Sequence, residues 1–179
     1  KYDKPIISNY KKPQTLTYLT DDKGDECVAF IKRHKDKAFF LYASFNAPHT
    51  PMQAVDKDLK IYAHIKDKKR RTYAAMIHRL DVNVGRIVRE LKKQGIYKNT
   101  VMVFLSDNGG PTENNGAINA PLNGGKGILL EGGIRIPFVI AYPEKLKKGI
   151  YNNPITSLDL MPTFVELAGG KINKKDKLD

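Results

Sequence analysis

Eight consecutive residues, Ala38-Phe-Phe-Leu-Tyr-Ala-Ser-Phe45, carry no charge and four aromatic rings. A run of this kind has no polar face to turn toward water. It suits a strand buried on both sides, as in a parallel sheet covered by helices. Thr100–Ser106 and Ile136–Tyr142 read as two more strands. Helical signals surround them. Thr20-Asp-Asp-Lys-Gly-Asp-Glu26 offers an N-cap at Thr20 and an acidic first turn, and predicts a helix to about His34. From Thr72 to Gln94, apolar residues at Tyr73, Met76, Ile77, Leu80, Val84, Ile87, Val88 and Leu91 follow the spacing of an amphipathic helix, which Gly95 ends. A last helix is expected from about Ser157 to Ala168, and residues 1–19, with Pro5 and Pro13, read as an irregular lead-in. Strands alternating with helices predict an α/β fold with a mainly parallel central sheet flanked by helices. The 179 residues are enough for one domain with a core.

Composition narrows the function classes. No apolar run approaches the roughly 20 residues of a membrane span. The net charge is +12, from 24 Lys and 7 Arg against 19 acidic residues. The lysines are scattered, with local runs at Lys66–Arg71 and Lys171–Lys177 and no clear interleaving of Arg forks with aromatic platforms. The charge reads first as a solvated basic surface, with attraction to anionic substrates or polymers as the lesser reading and nucleic-acid binding the least expected. The single cysteine, Cys27, lies in Glu26-Cys-Val-Ala-Phe-Ile31 and reads as a small buried hydrophobe on a helix face.

The chemistry-bearing residues sit where strands end. In open α/β sheets, ligands bind beyond the carboxyl ends of the strands. The Thr100–Ser106 strand runs into Asp107-Asn108-Gly-Gly110. Asp107 and Asn108 offer one charged and one neutral oxygen, the donor type that Ca²⁺ or Mg²⁺ prefers, though two ligands do not complete a shell of roughly six to eight. The same four residues are also good turn formers. The 38–45 run leads into Asn46-Ala-Pro-His-Thr-Pro51, where two prolines stiffen the loop around His49, a candidate donor to an anion or general acid. Gly109–Gly133 holds eight of the fourteen glycines, and Pro121-Leu-Asn-Gly-Gly-Lys-Gly127 places Lys126 among them. Such a loop lets backbone N–H groups and a lysine approach an anion closely. Asp21-Asp22 has a sufficient explanation as a helix start.

Seven motifs then occur in order: Tyr-Leu-Thr-Asp at 18–21, Phe-Phe-Leu-Tyr with Asn-Ala-Pro-His-Thr-Pro at 39–51, Tyr-Ala-Ala-Met-Ile at 73–77, Ser-Asp-Asn-Gly-Gly at 106–110, Leu-Asn-Gly-Gly-Lys at 122–126, Glu-Gly-Gly-Ile-Arg at 131–135 and Asp-Leu-Met-Pro-Thr at 159–163. With these, residues 16–170 resemble the type I sulfatases, of the arylsulfatase kind, in the alkaline-phosphatase-like superfamily. The resemblance implies a hydrolase acting on a sulfated small molecule or glycan. It implies that Asp107 and Asn108 ligate calcium (Mg²⁺ being the alternative), that His49 assists the leaving group, and that Lys126 binds a sulfate oxygen. It implies a periplasmic or secreted setting. The family also uses a formylglycine nucleophile made within Cys/Ser-x-Pro-x-Arg and an Asp-Asp pair at the end of a first strand. Neither is present here: Cys27 is followed by Val-Ala-Phe, and Asp21-Asp22 precedes a helix. Residues 1–179 are accordingly expected to be a single partial catalytic domain, its nucleophile segment and C-terminal subdomain absent, inactive and weak in calcium binding on its own. A phosphodiesterase or phosphonate hydrolase of the same superfamily, and a non-catalytic module for sulfated glycans, are the alternatives.

Overall fold

The computed structural model describes residues 17–173 and 175; most of the lead-in and part of the Lys-rich run at 171–177 lie outside them. The chain divides into two compact units, with the boundary between Leu146 and Lys147.

In the first unit, helix α1 spans Leu19–His34. Asp21 and Asp22 lie in its first turn and Lys32, Arg33 and His34 in its last, so both ends complement the helix dipole. Its N-cap is Tyr18, not the expected Thr20, which is buried inside the first turn. Thr17 takes up Asp22 instead, through its N–H at 3.1 Å and its hydroxyl at 3.1 Å. The buried face, Thr20, Gly24, Cys27 and Ile31, repeats at helical spacing. It packs on the long helix α3, Lys68–Lys93, which follows the short α2, Asp56–Ile61.

Helix α3 begins four residues before the expected Thr72, because Asp67 caps it by accepting from the Arg70 N–H at 2.7 Å. The basic run at 66–71 is thus largely helix. Gly95, at φ 76°, ends it in the left-handed conformation that a glycine adopts without a steric penalty. Polar groups tie the three helices together. Asp58 of α2 receives a two-pronged ion pair from Arg79 of α3, both bonds at 2.7 Å, with Asp58 1% and Arg79 7% exposed. Fully buried Asn83 donates to Asp21 at 2.8 Å and accepts from Arg86 at 2.8 Å. Gly24 makes this close crossing feasible, since a Cβ there would lie 2.0 Å from Asn83 Oδ1.

The expected sheet differs in two respects. Residues 38–45 form no strand among the described residues: the Phe45 N–H turns back to the Ala43 carbonyl at 3.1 Å, and Tyr42 is 80% exposed rather than buried. This segment is held from one side: Phe39 meets Phe30 edge-on at 5.6 Å, and the Lys23 ammonium donates to the Ser44 carbonyl. The two strands that do form, β1 (Met102–Leu105) and β2 (Phe138–Ala141), pair antiparallel, Leu105 opposite Phe138 and Met102 opposite Ala141, where a parallel arrangement was expected. The physical reason lies in the connection. Residues 106–137 leave and re-enter at the same sheet edge without a crossover helix across the sheet, and only the antiparallel direction allows that. Two short helices, α4 (Thr112–Asn115) and α5 (Glu131–Ile134), sit within that excursion.

In the second unit, a 3₁₀ turn at Ser157–Asp159 leads into α6, Leu160–Leu167, close to the expected helix. Thr156 and Asp159 form a reciprocal cap at its start, with bonds of 3.1 and 2.6 Å. Among the described residues, no helix is long and apolar enough to cross a membrane.

Candidate active site

Because β1 and β2 are antiparallel, everything between Ser106 and Pro137 projects from one end of the sheet. The base is closed by two bonds, Ser106 N–H to the Pro137 carbonyl at 3.3 Å and Gly109 N–H to the Gly133 carbonyl at 2.8 Å. Here the glycines pack backbone on backbone. A Cβ on Gly109 would lie 1.7 Å from the Gly132 carbonyl oxygen, and one on Gly132 would lie 2.3 Å from the Gly124 oxygen. The Asp107–Gly110 turn, the stretch before Lys126 and helix α5 are thereby pressed into one layer.

Asp107 heads the excursion. Its side chain is exposed and has no hydrogen-bond or ion-pair partner among the described residues. The Asn108 amide nitrogen donates to the Gly109 carbonyl at 2.9 Å, which leaves its amide oxygen as the uncommitted group. A carboxylate and an amide oxygen on consecutive residues suit a hard cation, and so fit part of a calcium shell. No group of three or more His, Cys, Asp or Glu side chains able to hold a metal occurs among the described residues. Asp21 and Asp22 contribute nothing here: they bond Asn83 and Thr17.

His49 stands on the loop that follows residues 38–45. The Ala47-Pro48 and Thr50-Pro51 bonds are both cis, and the His49 N–H closes a turn on the Asn46 carbonyl at 2.8 Å. Lys23 anchors the loop's start, donating to Asn46 Oδ1 at 2.7 Å. Burial lowers the pKa of the Lys23 ammonium. The ring contacts of His49 assign its tautomer: Nδ1 lies 2.7 Å from the Thr50 carbonyl and donates to it, so Nε2 is the lone-pair nitrogen. Nε2 faces Lys126 Nζ at 3.3 Å, and the ammonium donates. No carboxylate lies within ion-pair distance of that ammonium among the described residues. An exposed ammonium whose polar neighbour among the described residues is an imidazole nitrogen is disposed to accept an anion.

The structure therefore brings together His49 and Lys126, 77 positions apart in sequence. Asp107-Asn108 belongs to the same layer, since the Lys126 N–H reaches the Gly110 carbonyl at 3.4 Å. Three residues of chain, at most roughly 10 Å, separate Gly110 from Asp107. Two contributors were not marked by the sequence. Lys23 reads only as a helix-surface lysine, and Asn119 only as a loop residue before Ala120-Pro121. Cys27 lies on a cleft of about 220 Å³ between α1 and residues 41–44, and burial pushes its thiol pKa up, as for a packing residue.

Residues 2–170 match the family model for Sulfatase. Over 183 residues the chain is 32% identical to the uncharacterized sulfatase YdeN of Escherichia coli K12, covering 99% of this chain and 32% of that protein. Arylsulfatase J of Mus musculus is 38% identical over 145 residues, covering 80% of this chain and 24% of its own length. Among solved structures, that of Ps i-CgsB in complex with k-i-k-neocarrahexaose superposes with a TM-score of 0.94 at 43% identity, over 98% of this chain and 39% of that one. The chain thus spans about a third of the length of such relatives.

Proposed function

The chain belongs to the sulfatase family, and from that premise we propose that the intact enzyme hydrolyses sulfate esters, with His49, Lys126, Asp107 and Asn108 as this segment's share of the site. The single observation that carries the assignment of residues is the 3.3 Å approach of Lys126 Nζ to His49 Nε2 in the layer that also holds the Asp107-Asn108 pair. Lys126 binds a sulfuryl oxygen, turning one N–H from His49 toward the anion. His49 is left with Nδ1–H fixed by the Thr50 carbonyl, so a proton taken up at Nε2 is presented to the leaving oxygen. Asp107 and the Asn108 amide oxygen would hold part of a calcium ion's shell. When bound, calcium screens charge on the sulfuryl oxygens and a formylglycine supplies the attacking oxygen; the Cys/Ser-x-Pro-x-Arg motif for the latter does not occur in these 179 residues. Positive groups aimed at oxygens that carry charge in the transition state are the general means of lowering such a barrier.

For substrate we propose a sulfated, carrageenan-type oligosaccharide, supported by the 43% identity to Ps i-CgsB, whose structure holds a neocarrahexaose, and by the net charge of +12. The family match crosses the boundary between the two compact units, which supports treating both as parts of one catalytic domain. A periplasmic or secreted location is part of the same proposal. The test is release of inorganic sulfate from carrageenan oligosaccharides by the intact enzyme. Lys126→Ala and His49→Ala are each expected to lower kcat/KM by roughly 100-fold or more. Faster turnover of a phosphodiester than of any sulfate ester, or full activity in both variants, would refute the reading.

A further inference from the structure

The Asn119 side chain touches none of the groups assigned above, yet it makes three bonds to the main chain that carries them. Its Oδ1 accepts from the Gly110 N–H at 3.1 Å. Its Nδ2 donates to the Gly110 carbonyl at 2.8 Å and to the Gly124 carbonyl at 2.9 Å. Two of these close a ring on Gly110, the pairing one peptide makes with another across an antiparallel ladder. The third reaches the stretch Gly124-Gly125-Lys126. The Gly110 carbonyl also accepts from the Lys126 N–H at 3.4 Å. The fit is tight: a Cβ on Gly125 would lie 2.6 Å from the Gly110 oxygen and 3.1 Å from Asn119 Nδ2. Only a primary amide of this length has both the acceptor and the two donors that this arrangement uses. Aspartate keeps the size and the acceptor but loses both donors, and alanine loses all three bonds.

We propose that Asn119 is a positioning residue for sulfate-ester hydrolysis, fixing the distance between Lys126 and the Asp107–Gly110 turn by bonding both at once. The proposal rests on the reading of Lys126 as the sulfate-binding cation. Through this amide, together with the direct bond from the Lys126 N–H to the Gly110 carbonyl, a shift in the Asp107–Gly110 turn is transmitted to the Lys126 ammonium. Misplacement of a catalytic group by about 1 Å is enough to cost roughly 100-fold in rate.

The test is a cycle of four forms of the intact enzyme: wild type, Asn119→Ala, Lys126→Ala and the double variant. Sulfate release and thermal midpoints are measured for each, and Asn119→Asp serves as a second variant should Asn119→Ala not fold. Substituting Asn119 is expected to lower kcat by about 10- to 100-fold with a smaller change in KM. In the Lys126→Ala background the same substitution is expected to add less than about threefold, because there is no ammonium left to misplace. Calcium affinity, read by calorimetry with and without inorganic sulfate, is expected to rise with sulfate in the wild type and to be indifferent to it in Asn119→Asp. Unchanged kcat in both Asn119 variants, or losses that multiply fully in the double variant, overturn the positioning role while leaving Lys126 as a sulfate ligand. If Lys126→Ala itself loses nothing, the parent reading fails and takes this proposal with it.

Discussion

Replacing Gly109 by alanine tests whether backbone packing sets the geometry of the site. The added Cβ would lie 1.7 Å from the Gly132 oxygen, 2.7 Å from the Gly132 carbonyl carbon and 2.9 Å from Gly133 Cα. All three are backbone atoms, so no side chain can swing aside. Real Cβ contacts are essentially never closer than 3.0 Å, so the strand-end turn and residues 132–133 must part by about 1.3 Å. That parting stretches the 2.8 Å bond between the Gly109 N–H and the Gly133 carbonyl beyond hydrogen-bonding range. Overpacking of this kind costs roughly 1–3 kcal/mol. A displacement of about 1 Å between Asp107-Asn108 and the Lys126 loop carries roughly a 100-fold loss in kcat. The assay is sulfate release by the intact Gly109→Ala enzyme beside its thermal midpoint. Gly127→Ala is the control: at φ 83° with nothing within 4 Å of the added Cβ, it meets only the cost of the left-handed backbone, about 1–2 kcal/mol. Gly109→Ala with kcat within threefold of wild type and an unchanged midpoint would refute the argument that these loops are held by glycine contact.

Two further outcomes follow from the first unit. Arg79→Leu strips the two-pronged partner from Asp58 and leaves a carboxylate that is 1% exposed, with the His78 imidazole at 3.9 Å as its nearest basic group among the described residues; a loss of roughly 3–5 kcal/mol is expected in denaturant unfolding, and a loss below about 1 kcal/mol would show that the pair is dispensable. Burial raises the Cys27 pKa above its ordinary 9.0, so the unfolded chain loses that proton first. The Cys27 contribution to stability is therefore intact below pH 9 and declines as pH rises past it. Cys27→Ala is expected to show a shallower fall in stability than wild type as pH rises above 9.0, and parallel curves would count against burial as the cause.

Helices α1 and α3 were legible because their signal is local: apolar period, acidic start, glycine stop. The start of α3 was not, since the charged run 66–71 resembles a solvated stretch until Asp67 is seen capping it. The run at 38–45 announces a buried strand that does not form among the described residues, because apolar content says nothing of which strand lies alongside, and strand direction depends on how 106–137 travels. His49 and Asp107-Asn108 could be singled out as loop residues after expected strands, and Lys126 as the lysine of a glycine-rich loop. Their order along the chain pointed to a shared site, whereas the 3.3 Å contact joins residues 77 positions apart, a distance no local pattern encodes. Asn119 was invisible for a different reason. It acts on main-chain atoms, and an asparagine in a loop is ordinary turn chemistry.

The closed base of the 106–137 excursion also bears on how this scaffold can diversify. Its ends are bonded at Ser106–Pro137 and Gly109–Gly133, and its active layer is bonded again at Gly110. The arc from Pro111 to Ile118 lies outside those fastenings but is tied to α3: Arg70 donates to the Gly116 carbonyl at 3.1 Å, Lys69 donates to the Glu113 carbonyl at 3.2 Å, and Asn115 and Ala117 are buried. Only the exposed stretch 112–114 is open to change in length. Chain-closure entropy grows only with the logarithm of length, so doubling a flexible loop there costs about 0.6 kcal/mol. An insertion at that point can differ between lineages while the lysine and the oxygen pair keep their spacing.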